Sequence, residues 1–499
     1  MTADAGFRHA GPAEIDCEIA VIGSGAGGAV AAERLVRAGR DVVLLEEGPY
    51  VPAAAAPASI TESMRLMWRS GGLSAALGDP PVAFAEGRCV GGGTEINSAI
   101  MQRAPEALLD AWRDRYAIEG FGAAALGPFY GEVLGAVGAS ATPGPPGPPT
   151  DRLREGAEAL GWKGMALERA QRHCAGTNSC ALGCPTGAKQ SMTASYLPRA
   201  LAAGLRLIAE CRVRRLVRRG DTVTGIEAVA RDAAGCEATL QVRCKAVFVA
   251  TGAVHTPALL RRAGFRRNVG RTLRLHPTLK MVARFPDELR AHEHRLPLYA
   301  VTEFMPDIRL GGSFFLPGLF GMALAEDFAR RGHLLPEMAR CGMYYAMARG
   351  RGAGTVTPLP GAREPLVRYR AAREDWPALA EGAIRLADAM FAAGAEEVFP
   401  SIASHPGWRS TAEIRETAGK TLIRGRASLL TIHLAGSCPP GGNAALCATD
   451  SFGRLHGARN VVLADASQIP EAPGVNPQAS VMAIALRNTE AFLASGDAA

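Results

Sequence analysis

The 499-residue sequence contains no apolar run of the roughly 18 residues that a membrane-spanning helix needs, so no integral membrane span is expected. Its N-terminus, "MTADAGFRHAGPAEIDCEIAVIGSG", lacks the basic head and apolar stretch of a secretory signal. A cytoplasmic protein is therefore expected, unless a partner subunit carries an export signal for it. Without such a signal, the 11 cysteines read as thiols or metal ligands rather than a disulfide framework. A strong excess of one charge is also lacking. The net charge is +7, and the arginines are scattered, with the densest run at "CRVRRLVRRG" (211–220). That pattern reads as solvated surface with some anion contacts. No nucleic-acid-binding motif accompanies it, so no nucleic-acid partner is expected.

What the chain does hold is ordinary globular composition, 48% hydrophobic and 21% charged, with length for two or three domains. Its 58 glycines suit backbone that approaches a ligand closely or turns tightly. The opening unit uses them. "EIAVIGSG" (18–25) reads as a buried parallel strand running into a glycine turn. "AGGAVAAERLVRAG" (26–39) reads as a helix with a small-residue face, and "DVVLLEEG" (41–48) as a second strand. Gly23, Gly25 and Gly28 fall in G-x-G-x-x-G order. The first makes the tight turn, the second lets backbone approach a pyrophosphate, and the third packs helix on strand. The helix N-terminus then faces the phosphates. Glu46 lies 18 positions after Gly28, where an acid accepts hydrogen bonds from a ribose. This unit predicts a dinucleotide site without choosing between FAD and NAD.

Three further stretches bear on the choice. "GRCVGGGTEIN" (87–97) gathers Gly87, Arg88, Gly91, Gly92, Thr94 and Asn97, glycines among polar groups that suit backbone lying on a flat ring system. "AVFVATGAVHTPALLRRAG" (246–264) reads as a buried strand ending at Thr251–Gly252, with a helix opening near Thr256–Pro257. "NVVLADASQIPEAPGVNPQASVMAIALRNTEAFL" (460–493) reads as a strand delivering Asp465, a loop, and a long helix opened by Asn476–Pro477. Proline's fixed φ suits a first helical turn.

With these motifs the chain resembles the glucose–methanol–choline (GMC) oxidoreductases, which are FAD-dependent, over nearly its full length. The match takes in "GSGAGG…LLEEG", "GRCVGGGTEIN", "GAVHTPALLRRAG", "VGRTLRLHP", "IHLAGSCPPGG", "DSFGRLHGARNVVLADAS" and "GVNPQASVMAIALR". It departs at His255 and Arg262, where family members more often carry smaller residues, and the chain is short for the family. The resemblance implies an α/β fold: a Rossmann-like FAD-binding domain with a second α+β substrate domain built on an antiparallel sheet. It implies FAD held by Gly23, Gly25, Gly28, Glu46, Arg88, Gly92, Thr94, Asn97, Val213, Gly252, Asp465, Ala466, Asn476 and Pro477. It also implies a catalytic pair. His433 in "IHLAGSC" stands at the family's active-site histidine, and Asn476 in "VNPQ" where the family places a second histidine or an asparagine. His433 is expected to take the hydroxyl proton, because a neutral imidazole titrates near working pH. Asn476 is expected to hydrogen-bond the substrate oxygen while the carbinol hydride goes to flavin N5. Without the resemblance, His433 reads as a satisfied polar residue and Asn476 as a helix N-cap. His276 in "LHP" reads as structural, and His405 and His456 as surface or loop residues.

The stretch "HCAGTNSCALGCP" (173–185) sets Cys174, Cys180 and Cys184 at C-x5-C-x3-C spacing before Pro185. Zinc fingers use paired C-x2-C elements and a fourth ligand, which this stretch lacks. Thiolates before a proline are a common iron–sulfur arrangement, and three ligands suit a 3Fe-4S cluster. A structural loop of reduced cysteines and a redox disulfide are the alternatives. The resemblance points both ways. Catalytic subunits of bacterial FAD glucose and sugar-alcohol dehydrogenases carry a three-cysteine cluster here and pass electrons to a cytochrome. Long-chain fatty alcohol oxidases are also cysteine-rich here, and "CALGCPTGAKQS" (180–191) resembles their segment. The electron acceptor is accordingly oxygen, a quinone or a cytochrome.

The FAD-binding domain is expected from residues 13–105, 196–283 and 428–497, and the substrate domain from 106–195 and 284–427. "ATPGPPGPPTDR" (141–152) reads as a stiff extended loop, and "DWPALAEGAIRLADAMFAAGAEEVF" (375–399) as an amphipathic helix. "GGSFFLPGLFGMALAEDF" (311–328) reads as a core strand pair or as the lining of an apolar substrate cavity. A sugar site would show more Asn, Gln, Asp and Trp. A hydrophobic primary or secondary alcohol is therefore the expected substrate, with a sugar or polyol dehydrogenase as the alternative.

Overall fold

The computed structural model describes residues 7–72, 74–417 and 426–496. Residues 1–6 of the N-terminal stretch, 418–425 of the substrate segment and position 497 of the last FAD segment lie outside them.

The first strand, β1 (Ala13–Ile22), ends in four buried residues, and β2 (Val42–Leu45) is buried throughout. The strand Glu237–Val249 likewise buries its last four residues. β1 pairs in parallel with both. Parallel strands covered on both faces carry unbroken apolar runs, so "IAVI", "VVLL" and "AVFV" show no alternation. The seven-stranded sheet runs Arg206–Ile208, β2, β1, Glu237–Val249, Thr222–Arg231 and Cys211–Arg219, with Val461–Leu463 pairing Glu237–Val249 as well. The C-terminal ends of β1, Glu237–Val249 and Val461–Leu463 therefore share one edge, the usual position for a ligand in such sheets. The arginine-rich run is the antiparallel strand Cys211–Arg219, with Arg214, Arg215, Arg218 and Arg219 exposed.

Helix α1 (Ala26–Arg37) crosses from β1 to β2 at very short range. A Cβ on Gly28 would lie 1.9 Å from the Gly23 carbonyl oxygen, and one on Gly27 the same distance from that of Ala464. The helix Gln478–Ala494 packs against α1 and buries nearly all of its circumference, which explains its lack of a polar face.

A second sheet of nine strands runs Ser74–Ala76, Val82–Phe84, Leu429–Thr431, Thr278–Arg284, Cys341–Ala348, Ile308–Gly312, Tyr299–Val301 and Gly164–Ala166, with Glu397–Pro400 also on Thr278–Arg284. It is antiparallel except where Leu429–Thr431 meets Val82–Phe84. The helix Asp375–Ala392 packs on it, burying Leu379, Ala383, Leu386 and Met390. The whole is a mixed α/β architecture of several sheets.

Four local readings change. Helix Pro148–Ala159 begins inside "ATPGPPGPPTDR", because prolines fit a first helical turn. The helix at "GAVHTPALLRRAG" opens at Gly252, before Thr256–Pro257, because Asp465 accepts the Gly252 N–H and anchors that turn. The amphipathic helix stops at Ala392, and Gly394, with φ of +88°, turns the chain into Glu397–Pro400. The stretch 311–328 is the end of strand Ile308–Gly312 followed by helix Pro317–Ala325. Its Phe315, Phe320 and Leu324 pack with Met343 and Phe399 in a core cluster.

Candidate active site

A cavity runs along the shared strand edge. Of the residues marked by sequence, Gly23, Gly25, Glu46, Gly92, Val213, Gly252, Asp465, Ala466 and Pro477 line it. Gly23 needs a φ of +96°, and a Cβ there would lie 2.4 Å from the Ala250 carbonyl oxygen. A Cβ on Gly25 meets no atom within 4 Å, so this residue faces open space. Gly25 is also the N-cap of α1 and supplies no side chain, leaving the first N–H groups without a side-chain cap.

Glu46 braces this turn. Its Oε2 accepts the Ser24 N–H at 3.0 Å and the Ser24 hydroxyl at 2.6 Å, and its Oε1 accepts the Gly48 N–H at 2.8 Å. Burial pushes its pKa up against these three donors. Asp465 does the same job at the next strand. Oδ1 accepts the Ser467 N–H at 2.8 Å, and Oδ2 accepts the Gly252 N–H at 2.9 Å and the Thr256 hydroxyl.

The other predicted cofactor residues stand behind the lining. Gly28 lets α1 meet the strand. The Arg88 Nε lies 3.6 Å from the Glu47 carboxylate. The Thr94 hydroxyl donates to Gly91 O at 2.7 Å and accepts the Met192 N–H at 3.0 Å. Asn97 Nδ2 donates to Gln478 Oε1 at 2.7 Å. These last two fasten the glycine signature to its neighbours. His255 and Arg262, the departures from the family pattern, both line the cavity. Sequence reasoning missed its charged rim: Arg69 Nη2 donates to Glu47 at 2.7 Å and Arg363 Nε at 3.0 Å. Burial would raise the Glu47 pKa, but the two guanidinium groups outweigh it and hold the carboxyl below its usual range.

His433 sits in the turn between strands Leu429–Thr431 and Leu434–Ala435. Asn476 sits one residue before Pro477. The two side chains meet, with His433 Nε2 3.2 Å from Asn476 Nδ2. Ile432, Leu434 and Pro477, which flank the pair in sequence, line the cavity, so the pair stands at its margin. Asn476 is not a helix cap; its Oδ1 accepts from Arg309 Nη1 at 3.1 Å. Gln102 Oε1 accepts from the same Nη1 at 2.6 Å.

His276 makes a hydrogen bond to the catalytic candidate itself. Its Nδ1 lies 2.9 Å from His433 Nδ1, and its Nε2 accepts the Gly474 N–H at 2.8 Å. Two outside donors, the Gly474 N–H and the Asn476 amide, each face a ring Nε2, and only one of those nitrogens can accept while the two Nδ1 atoms share a single hydrogen. Burial, with the Arg309 charge added, lowers the His433 pKa to about 3. Burial likewise depresses His276, helped by the charges of His433, Arg309 and Arg349.

Two family matches described as GMC oxidoreductase cover residues 64–278 and 353–485, and a NAD(P)-binding Rossmann-like domain matches 21–66. An uncharacterised GMC-type oxidoreductase of Sinorhizobium fredii is 50% identical over 488 residues, 98% of this chain and 97% of that one. The chain belongs to the GMC oxidoreductase family. A long-chain-alcohol oxidase of Arabidopsis thaliana is 28% identical over 505 residues, 95% of this chain and 68% of the relative. Solved structures share the fold at lower identity. Pyridoxine 4-oxidase from Mesorbium loti has a TM-score of 0.68 at 19% identity, covering 96% of this chain and 99% of its own. Formate oxidase has 0.72 at 16%, covering 97% and 99%.

This GMC oxidoreductase is thus an FAD enzyme of a family that oxidises alcohols and related CH–OH donors. Its cavity fits the cofactor on its own evidence. A helix N-terminus without a side-chain cap suits a pyrophosphate, and Gly25 leaves room for it. Ile432, large and apolar, is 53% exposed where it lines the cavity, a surface that a flavin would cover. Among the described residues no helix is long and apolar enough to cross a membrane.

The cysteine stretch fits a metal less well. Cys174, Cys180 and Cys184 line one small cavity with Arg169 and Lys189. Arg169 Nη2 donates to Cys180 Sγ at 2.6 Å, and the Lys189 N–H donates to Cys184 Sγ at 3.3 Å. Burial would raise the Cys184 pKa, but bonds from Thr186 and Lys189 outweigh it and lower the thiol. Among the described residues no group of three or more His, Cys, Asp or Glu is arranged to hold a metal ion. Nothing in this arrangement supports the 3Fe-4S expectation. All 11 cysteines are free thiols.

Lys189 is the residue of this stretch that matters most to the FAD signature. Its buried Nζ donates to the carbonyls of Glu95 at 2.5 Å and Cys180 at 2.7 Å. The change Lys189→Met strands both carbonyls, so urea unfolding is expected to show a loss of about 2–5 kcal/mol. An unchanged midpoint would show that the tie carries no weight.

Proposed function

We propose that this enzyme oxidises a primary or secondary alcohol with a hydrophobic body to the aldehyde or ketone. The observation that carries the reading is the meeting of His433 and Asn476 at the margin of the cofactor cavity. FAD, when bound, supplies the hydride acceptor. Gly23, Gly25 and Gly92 would admit it by their bare backbone, Glu46 would take the ribose, and Val213, Gly252, Asp465, Ala466 and Pro477 the remainder of its length. Gly28, Arg88, Thr94 and Asn97 would support these from behind. We assign the cofactor role chiefly to residues 13–105, 196–283 and 428–497, and the substrate role to 106–195 and 284–427.

In this reading Asn476 orients the substrate oxygen and His433 accepts the hydroxyl proton at Nε2. That nitrogen is free to take the proton in the tautomer whose Nε2 lone pair faces the Asn476 amide, with the ring hydrogen on Nδ1 toward His276. That tautomer puts the His276 hydrogen on Nε2 and leaves the Gly474 N–H without its acceptor, which costs about 1–3 kcal/mol and slows the step without forbidding it. The hydrophobic body of the substrate is supported by the likeness to a long-chain-alcohol oxidase. The packed core role of Phe315 and Phe320 removes the sequence argument for an apolar lining there.

The test is incubation of the FAD-loaded enzyme with aliphatic and aromatic alcohols, with aldehyde, peroxide, quinol and reduced cytochrome measured as products. Carbonyl product from an alcohol supports the reading, and none from any alcohol refutes it. A second expectation concerns pH. A free histidine titrates near 6.5, whereas His433 stays neutral down to about 3. Protonation removes the base, so activity should fall only as pH drops through that low value. The kcat/KM profile is thus expected to stay level from about pH 7 to 5. An acid limb centred near 6.5 would contradict the buried, neutral base.

A further inference from the structure

The second sheet sends one charge into the site. Arg309, on the strand Ile308–Gly312, is 1% exposed. Its hydrogen bonds use one nitrogen: Nη1 donates to Gln102 Oε1 and Asn476 Oδ1, both neutral amide oxygens. Nε and Nη2 are buried with no partner. These two nitrogens form one edge of the planar guanidinium, the edge that takes both oxygens of a carboxylate side by side. A buried guanidinium without a counter-ion is costly, so an anion is missing from this environment.

Among the described residues no carboxylate pairs with Arg309. Asn476 has its oxygen on Arg309 and its Nδ2 toward His433. The other charges felt by the histidine pair, Arg309 and Arg349, are positive. Donors converge here and acceptors are few. The cofactor is a poor candidate for the missing anion. The cavity is lined by Ile432, Leu434 and Pro477 around the pair, but not by Arg309 or Gln102. Arg309 thus touches Asn476 without lining the cofactor cavity.

We propose that the free edge of Arg309 binds a carboxylate carried by the substrate, so that the enzyme's alcohol is a hydroxy acid. This rests on the alcohol-oxidation reading above and names its substrate class. The carboxylate pairs with Nε and Nη2 while the hydroxyl lies against His433 and Asn476. The bound carboxylate also neutralises the charge that opposes proton uptake by His433.

The test uses the full-length FAD-loaded enzyme. Acetate, benzoate and octanoate are titrated against acetamide, benzamide and octanamide, followed by calorimetry and flavin difference spectra. At least one carboxylate is expected to bind about tenfold or more tightly than its amide, the scale of a charged hydrogen-bonded pair. Arg309→Met should erase the preference, and Arg309→Lys should keep part of it. Equal binding of each acid and amide by the native enzyme overturns the proposal, whether or not the variants fold. So does a preference that survives Arg309→Met. A shift in flavin potential in that variant, with the carboxylate preference unchanged, would assign Arg309 to the cofactor and also overturn it. Neutral alcohols that bleach the flavin while no carboxylate binds would sink this inference and leave alcohol oxidation standing. Carboxylates that bind while no alcohol or hydroxy acid bleaches the flavin would do the reverse.

Discussion

His433→Ala is expected to lower kcat by about 10²–10⁴ with FAD content unchanged, the range for losing a positioned acid–base group. The cofactor should stay because the cavity is lined by backbone and by Glu46 and Asp465, and His433 is not among the lining residues. The loss should fall on kcat more than on KM, since in the proposed reading Asn476 and Arg309 would still hold the substrate. Asn476→Ala is expected to cost less, roughly 10- to 100-fold, as it removes one orienting hydrogen bond. A His433→Ala enzyme within a few-fold of native kcat would mean that the hydroxyl proton leaves by another route. FAD lost from that variant would instead place His433 in cofactor binding.

The second large effect separates fold from cofactor within one turn. Gly28→Val puts a Cβ 1.9 Å from the Gly23 carbonyl oxygen and 3.0 Å from the Ala250 Cβ. The first of these is backbone in a buried turn, so α1 must lift off its strand. Overpacking of this kind costs about 3 kcal/mol or more. The variant is expected to melt earlier even without FAD and to purify colourless. Gly25→Ala makes the opposite case. Its φ of −67° is ordinary, and its Cβ enters open space. It should melt like the native apoprotein yet bind FAD weakly, because the methyl group occupies room meant for the pyrophosphate. If both variants lose stability equally, the assignment of Gly25 to cofactor contact is wrong.

The opening unit was legible because its burial is two-sided. Such strands write their position as apolar runs, and the glycines mark where backbone meets backbone or ligand. The His433–Asn476 meeting was legible only through resemblance to a family, since the two lie 43 positions apart. Arg309 was not legible at all. It lies 167 positions from Asn476, in a short strand with no motif, and its place beside Asn476 follows from strand pairing. His276 was seen, but its bond to a ring 157 positions away was not. The cysteine spacing does not show what surrounds the sulfurs. Spacing brings sulfurs near one another, but Arg169 and the Lys189 N–H, which engage two of them, lie outside the pattern.

The most direct measurement is anaerobic mixing of the FAD-loaded enzyme with alcohols and hydroxy acids, following the flavin absorbance. The account predicts full bleaching of the native flavin by at least one of them, slowed about 10²-fold or more in His433→Ala. A flavin that no alcohol bleaches, or that bleaches equally fast without His433, would contradict it.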